Sequence, residues 1–257
     1  MTRLYTFGCS FTHYKWPTWA DILSGSYDYY ENWGSSGAGN FFIYNSIIEC
    51  VLTNKLTSSD QVVVMWTSTA REDHYINNTW HNSGGLYFDQ PIDHKGYLLR
   101  DLSFIYGAEQ VLKQAGIPYI FLSMLPIDSA DEFDNSLIDD VDNILNIYEK
   151  TIKQIKPSIY EIIFNYNWFS KPKCKMDQTT IKSVKKKMTT SLKLENLVKQ
   201  YNFVDPHALP SDHMEYLEKI MPDLNISTST RKWISKITKD LLDNKDINWH
   251  RPLVKRI

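Results

Sequence analysis

Val62-Val63-Val64-Met65-Trp66, led in by Ser59-Asp60, is a run of apolar residues with no alternating polar face. A strand with one wetted side alternates, so an unbroken run reads as a parallel strand buried on both faces. Outward from it the chain repeats the theme. Arg3-Leu4-Tyr5-Thr6-Phe7 is a short β-prone run closed by Gly8, and Pro118-Tyr119-Ile120-Phe121-Leu122-Ser123-Met124-Leu125 is a second buried strand. Tyr27 to Glu31 reads as a further strand that runs into the Gly/Ser/Asn-rich stretch Asn32 to Asn40. Between the strands, Phe42, Ile43, Ile47 and Val51 recur at helical spacing within Phe41–Leu56, and Leu99–Gln114 is helical up to a stop at Gly116. A shorter helix starts near Thr18 and ends near Leu23. Strands interleaved with helices predict an α/β chain: a three-layer α/β/α domain around a parallel sheet of about five strands.

Two stretches read as additions to that sheet. Arg71 to Gly96 is polar, aromatic and rich in Asn, His and Gly, and is expected to be a long loop of the kind that serves a site. Asp128 to Gln200 is read as helical decoration and carries the basic run Lys182-Ser183-Val184-Lys185-Lys186-Lys187, a solvated helix face or a contact for an anionic polymer. Residues 1–257 are taken as one domain.

Composition narrows the function classes. Hydrophobic residues make up 42% of the 257, enough to rule out a wholly disordered chain. The 28 Lys+Arg nearly balance the 30 Asp+Glu, which argues against a globally basic nucleic-acid binder. Cys9, Cys50 and Cys174 are widely spaced with no CxxC pair, so neither a zinc knuckle nor a disulfide framework is expected. No secretory leader and no long apolar span is read, and the expected setting is the cytoplasm, without a membrane partner. Neither G-x-x-x-x-G-K-[ST] nor G-x-G-x-x-G occurs, which argues against a nucleotide site.

Four features carry chemistry. Gly8-Cys9-Ser10-Phe11-Thr12 follows the first strand, where doubly wound sheets bind ligands, and a serine on that turn exposes both hydroxyl and backbone N–H. Gly37, in Asn32-Trp33-Gly34-Ser35-Ser36-Gly37, lets main chain approach a ligand closely. Thr67-Ser68-Thr69-Ala70-Arg71 brings hydroxyls and a guanidinium to the same sheet edge. Asp205-Pro206-His207-Ala208-Leu209-Pro210-Ser211-Asp212-His213 packs two imidazoles and two carboxylates into nine residues, and Asp212 with Glu215 predicts a helix cap there. The six-residue separation of His207 and His213 matches no H-E-x-x-H pattern, so no metal is expected.

These blocks resemble the SGNH, or GDSL-type, hydrolases, which are esterases and carbohydrate deacetylases on a flavodoxin-like fold. Gly8-Cys9-Ser10 stands where the family has Gly-Asp-Ser, Asn32 and Gly37 keep the spacing of the second block, and His207 and His213 match the last. The resemblance implies Ser10 as nucleophile, His207 as base and Asp205 as the carboxylate that orients it, with no cofactor. It implies backbone N–H groups of Ser10 and Gly37 as oxyanion donors. The chain departs from the family in three places. Thr69 stands where the third block has its Asn donor, with Arg71 or Ser68 as substitutes. Asp205 lies two residues before His207 rather than three, and Ala208 replaces a proline, which keeps His213 as a second base and Asp212 as a second orienter. The implied function is hydrolysis of a small carboxylic ester, with an O-acetyl group on a glycan as the specific expectation. The aromatic stretch Tyr75, Trp80, His81 and Tyr87 would stack on sugar rings, and Arg71 and Trp80 would contact substrate. The alternative is a binding or assembly module on the same fold, its catalysis weakened by the missing Asn. Oligomeric state is not legible in the sequence.

Overall fold

The computed structural model describes residues 2–85, 93–127, 140–164, 207–243, 245–247 and 249. Four parallel strands form its main sheet: β1 (Arg3–Phe7), β2 (Tyr29–Asn32), β3 (Asp60–Trp66) and β6 (Tyr119–Ser123), in the order β2-β1-β3-β6. β3 lies inside the sheet, and each residue from Val62 to Trp66 is fully buried, as the unbroken apolar run requires. At its other end the Arg3 guanidinium forks onto Asp60 with two 2.6 Å hydrogen bonds, which fixes the β1–β3 register.

Helices flank the sheet in two groups. α2 (Asn40–Asn54) packs on α3 (His94–Gln114), while α7 (Pro210–Ile220) packs on α1 (Trp19–Ser24), α6 (Ile159–Phe164) and α8 (Thr228–Leu242). Two short helices, α4 (Asp142–Ile147) and α5 (Glu149–Ile152), precede α6. β1 is followed by β2 on one side and by β3 on the other. The carboxyl end of β1 is therefore the point where the winding of the sheet reverses, and a crevice opens there in folds of this type.

The fold class is the α/β sheet expected, with differences of detail. The described sheet has four strands rather than about five. The stretch expected as a loop over 71–96 contains an antiparallel hairpin, β4 (Asp73–Ile76) paired with β5 (Thr79–Asn82). Its turn is Asn77-Asn78, both left-handed at φ 52° and 59°, the combination that two-residue hairpin turns demand. Helix α3 starts at His94, earlier than Leu99. α7 starts at Pro210 rather than near Met214, with proline in its first turn. Asp212 thus sits inside the first turn, where its carboxylate accepts the Leu209 N–H at 3.0 Å, instead of capping from outside. Of the expected helical decoration, residues 140–164 are described as α4 to α6. Cys174 and the run Lys182 to Lys187 lie outside the described residues.

Candidate active site

The turn after β1 is built by Gly8. A Cβ at this position would lie 2.1 Å from Thr12 Oγ1 and 2.9 Å from the Met65 carbonyl oxygen, so only glycine fits. The chain then coils tightly, with the N–H groups of Thr12 and His13 both donating to the Cys9 carbonyl at 2.9 and 3.0 Å. Cys9 points into the core and Ser10 rides on the turn, 7% exposed.

His207 meets that serine. Its Nε2 stands 3.0 Å from Ser10 Oγ, across 197 residues of chain. The imidazole lies on the Tyr14 ring, with centroids 3.9 Å apart and planes 21° apart, and Phe11 tilts against it at 5.4 Å. The chain next to His207 is held from the same segment, because the buried Trp16 indole N–H donates to the Ala208 carbonyl at 2.9 Å. His213 is placed differently. It is buried in α7, edge-on to Phe11 at 6.1 Å. Asp205, the expected orienting carboxylate, lies outside the described residues.

The second block is stitched to the serine turn. Asn32 is the register partner of Thr6; its amide donates to the Thr12 carbonyl at 2.8 Å, while its own oxygen accepts the Gly34 N–H at 3.0 Å. Ser35 N–H reaches the Gly8 carbonyl at 3.0 Å. Gly37 is left-handed at φ 78°, and a Cβ there would lie 2.7 Å from the Asn82 carbonyl oxygen of the hairpin. Its own carbonyl accepts the Gly84 N–H at 3.0 Å. The segment expected to be a long loop thus holds a hairpin that braces the glycine block.

The third edge, Thr67 to Arg71, hangs on a buried polar network. Asn40 grips Thr67 through both backbone groups, and its amide also donates to Asp101 at 2.7 Å. Asp101 pairs with Arg100 at 2.6 Å, and the Arg100 guanidinium in turn donates to the carbonyls of Thr69 and Arg71 at 3.2 and 2.8 Å. Complete burial lifts the Asp101 carboxyl to about 6, although Arg100 and Asn40 pull the other way. Thr69 is 1% exposed, and its hydroxyl has no hydrogen-bond partner among the described residues. The Arg71 side chain reaches the Ala38 carbonyl at 3.2 Å and the Met124 sulfur at 3.9 Å. The buried Ser68 hydroxyl accepts the Ala70 N–H at 3.1 Å.

Trp80 packs among Phe41, Phe42 and Tyr75, with centroids 5.3 to 5.5 Å apart, so its described contacts are to α2 and the hairpin. Tyr87 lies outside the described residues. Among the described residues no cluster of three or more His, Cys, Asp or Glu is arranged to hold a metal, and no helix is long and apolar enough to cross a membrane.

Sequence reasoning missed Asn40, Arg100, Asp101 and Asp73. One signal was present. Asp101 shares the buried face of α3 with Leu98, Leu102 and Ile105, and a carboxylate on an apolar stripe demands a partner. Asp73 had no such signal. Its two oxygens accept the N–H groups of Gly39 and Phe42 at 2.7 and 2.9 Å, which ties the hairpin to the start of α2, and burial pushes its carboxyl upward.

No family model and no curated protein matches the sequence. Solved structures do align with it. A member of the lipolytic protein G-D-S-L family from Veillonella parvula is 16% identical over 66% of this chain and 85% of that one, with a TM-score of 0.40. A GDSL-like lipase from Bacteroides thetaiotaomicron is 14% identical over 90% of this chain and 88% of that one, with a TM-score of 0.41.

Proposed function

We propose that the chain is a serine hydrolase that cleaves a small carboxylic ester. The observation that carries this reading is the 3.0 Å contact between Ser10 Oγ and His207 Nε2, at the carboxyl end of the strand where the sheet reverses. A serine hydroxyl is a weak nucleophile until a neighbouring base takes its proton, and neutral imidazole at hydrogen-bonding distance is that base. Ser10 Oγ attacks the carbonyl carbon as its proton passes to His207 Nε2. The imidazolium then returns that proton to the departing alcohol, leaving an acyl-serine. Water repeats the sequence: His207 takes its proton, the oxygen attacks the acyl carbon, and the acid leaves as Ser10 recovers its hydrogen. Asp205 remains the proposed orienting carboxylate, and Tyr14 supports the ring from its face.

The tetrahedral oxygen needs donors. The backbone N–H groups of Ser10 and Gly37 are proposed for two of them. Thr69 is the third, because its buried hydroxyl has no hydrogen-bond partner among the described residues and an arriving oxyanion would supply one. Each such donor contributes about 10²–10³-fold in rate. A Thr69 hydroxyl with spare hydrogen-bonding capacity favours this reading over a catalytically weakened binding module. An O-acetyl group on a glycan is the specific substrate proposed, supported by the exposed Tyr75 ring beside Trp80 on the hairpin.

Hydrolysis of aryl acetates by the wild type and by Ser10→Ala tests the reading, together with fluorophosphonate labelling. Turnover and labelling that vanish in Ser10→Ala are expected. Equal rates in the two proteins would remove Ser10 from the mechanism.

A further inference from the structure

One cation beside this site makes no ion pair among the described residues. Arg3 faces Asp60, Arg100 faces Asp101 and Arg231 faces Glu218. Arg71 has no carboxylate in ion-pair range among the described residues. The nearby Asp73 has both oxygens engaged by the Gly39 and Phe42 amides. Yet Arg71 is only half-exposed, and its Nε is buried with no hydrogen-bond partner among the described residues. Of its remaining donors, one nitrogen reaches the Ala38 carbonyl at 3.2 Å and another the Met124 sulfur at 3.9 Å. A thioether is a weak acceptor, so among the described residues most of a five-donor guanidinium is left unsatisfied. Asp73 acts on this cation only through space, its oxygens being taken by amides, and a half-buried guanidinium without a hydrogen-bonded carboxylate gains when an anion arrives with a ligand.

The placement says which ligand. Met124 Sδ is shared by Arg71 with Cys9 Sγ, 3.6 Å away on the residue before Ser10. Ala38, the other contact, follows Gly37. The guanidinium therefore touches the glycine block directly and reaches the serine turn through Met124. Its backbone is not free to drift, since Arg100 holds the carbonyls of Thr69 and Arg71. A planar fork held in place matches a two-oxygen anion.

We propose that Arg71 is an anion anchor and that the ester cleaved at Ser10 carries a carboxylate close to the scissile carbonyl, as in an acyl ester of an acidic sugar or of a hydroxy acid. This rests on the ester-hydrolase reading and narrows its substrate class.

The test uses matched p-nitrophenyl esters: the neutral acetate, and the half-esters of succinate and glutarate, with 4-acetoxybenzoate placing the charge on the leaving group. In the wild type at least one anionic ester is expected to exceed the neutral one in kcat/KM by about tenfold or more. That ratio should collapse in Arg71→Gln and return in part in Arg71→Lys, which keeps the charge but loses the fork. A wild-type ratio near one for every anionic ester overturns the inference. So does a ratio that Arg71→Gln leaves unchanged, as it would be if Arg71 served the oxyanion alone. Thermal shift with succinate, run on the same proteins, separates the two readings. Stabilisation of the wild type but not of Arg71→Gln, without Ser10-dependent turnover of any ester, supports the anchor and rejects the hydrolase. Turnover of the neutral ester with no anion preference and no succinate shift does the reverse.

Discussion

The His207 imidazole lies on the face of the Tyr14 phenol, 3.9 Å between centroids, while its Nε2 points at Ser10. The turn that carries the proposed nucleophile therefore also supplies the surface on which the proposed base lies, four residues further along. A ring held on one face has fewer ways to leave the reactive direction, and misplacement by about 1 Å can cost on the order of 10²-fold in rate. Tyr14→Leu is expected to lower kcat at least about tenfold with little change in KM, whereas Tyr14→Phe, which keeps the face and loses only the hydroxyl, should stay within about threefold of the wild type. Steady-state kinetics on both variants decide. Equal losses in the two would assign the effect to the hydroxyl instead of the stack.

The two histidines six residues apart divide into one that touches the serine and one packed in α7 against Phe11. His207→Ala should reduce kcat by roughly 10⁴-fold or more while leaving the melting temperature close to that of the wild type. His213→Ala empties a buried position, so it should lower the melting temperature by several degrees and leave kcat per folded molecule within about tenfold. Paired calorimetry and kinetics read both. A reversed pattern would make His213 the base.

What was legible in the sequence follows physical lines. Val62 to Trp66 reads directly because a strand buried on both faces has no polar positions to confuse it. The turn at Ser10 reads because the glycine demanded by Thr12 and the Met65 carbonyl stands beside it. The choice between His207 and His213 does not, since it depends on how the start of α7 is aimed by Pro210, by the Asp212–Leu209 cap and by Trp16 holding Ala208. The hairpin stayed hidden because both its strands carry polar and aromatic residues on an exposed ribbon, and only Asn77-Asn78 marks the turn. Arg100 and Asp101 stayed hidden because their partners, Asn40, Thr69 and Arg71, lie 29 to 61 residues away.

Gly37 tests whether the hairpin braces the site. A methyl group at this position meets the Asn82 backbone at 2.7 Å and imposes a left-handed conformation that side chains disfavour. Gly37→Ala should destabilise the fold by about 1–3 kcal/mol in urea titrations. It should also cut ester turnover by more than the lost folded fraction explains, because the Gly37 N–H is displaced with the chain. Gly85→Ala, with no atom of the other described residues within 4 Å of the added carbon, is the control expected to change neither.

Asp101 gives the protein a pH signature. Its carboxyl titrates near 6 in the fold because it is fully buried, against about 3.9 in an unfolded chain. The raised value means that between about pH 4 and 6 the folded state binds the proton that the unfolded state has released. Stability from this group is therefore greatest below about pH 4 and declines as pH rises through 6, by on the order of 2–3 kcal/mol. Asp101→Asn cannot ionise and lacks that slope. The unfolding free energy of the wild type minus that of Asp101→Asn should fall between pH 4.5 and 7.5 in urea titrations, even as other carboxylates change both proteins alike. A difference that instead stays flat over that range would show that the Arg100 pair outweighs burial and holds the carboxylate ionised throughout. The kinetic consequence shares the same geometry: Asp101 holds Arg100, and Arg100 holds the carbonyls of Thr69 and Arg71, so Asp101→Asn should lower ester turnover at pH 7.5 although it lies outside the reacting atoms.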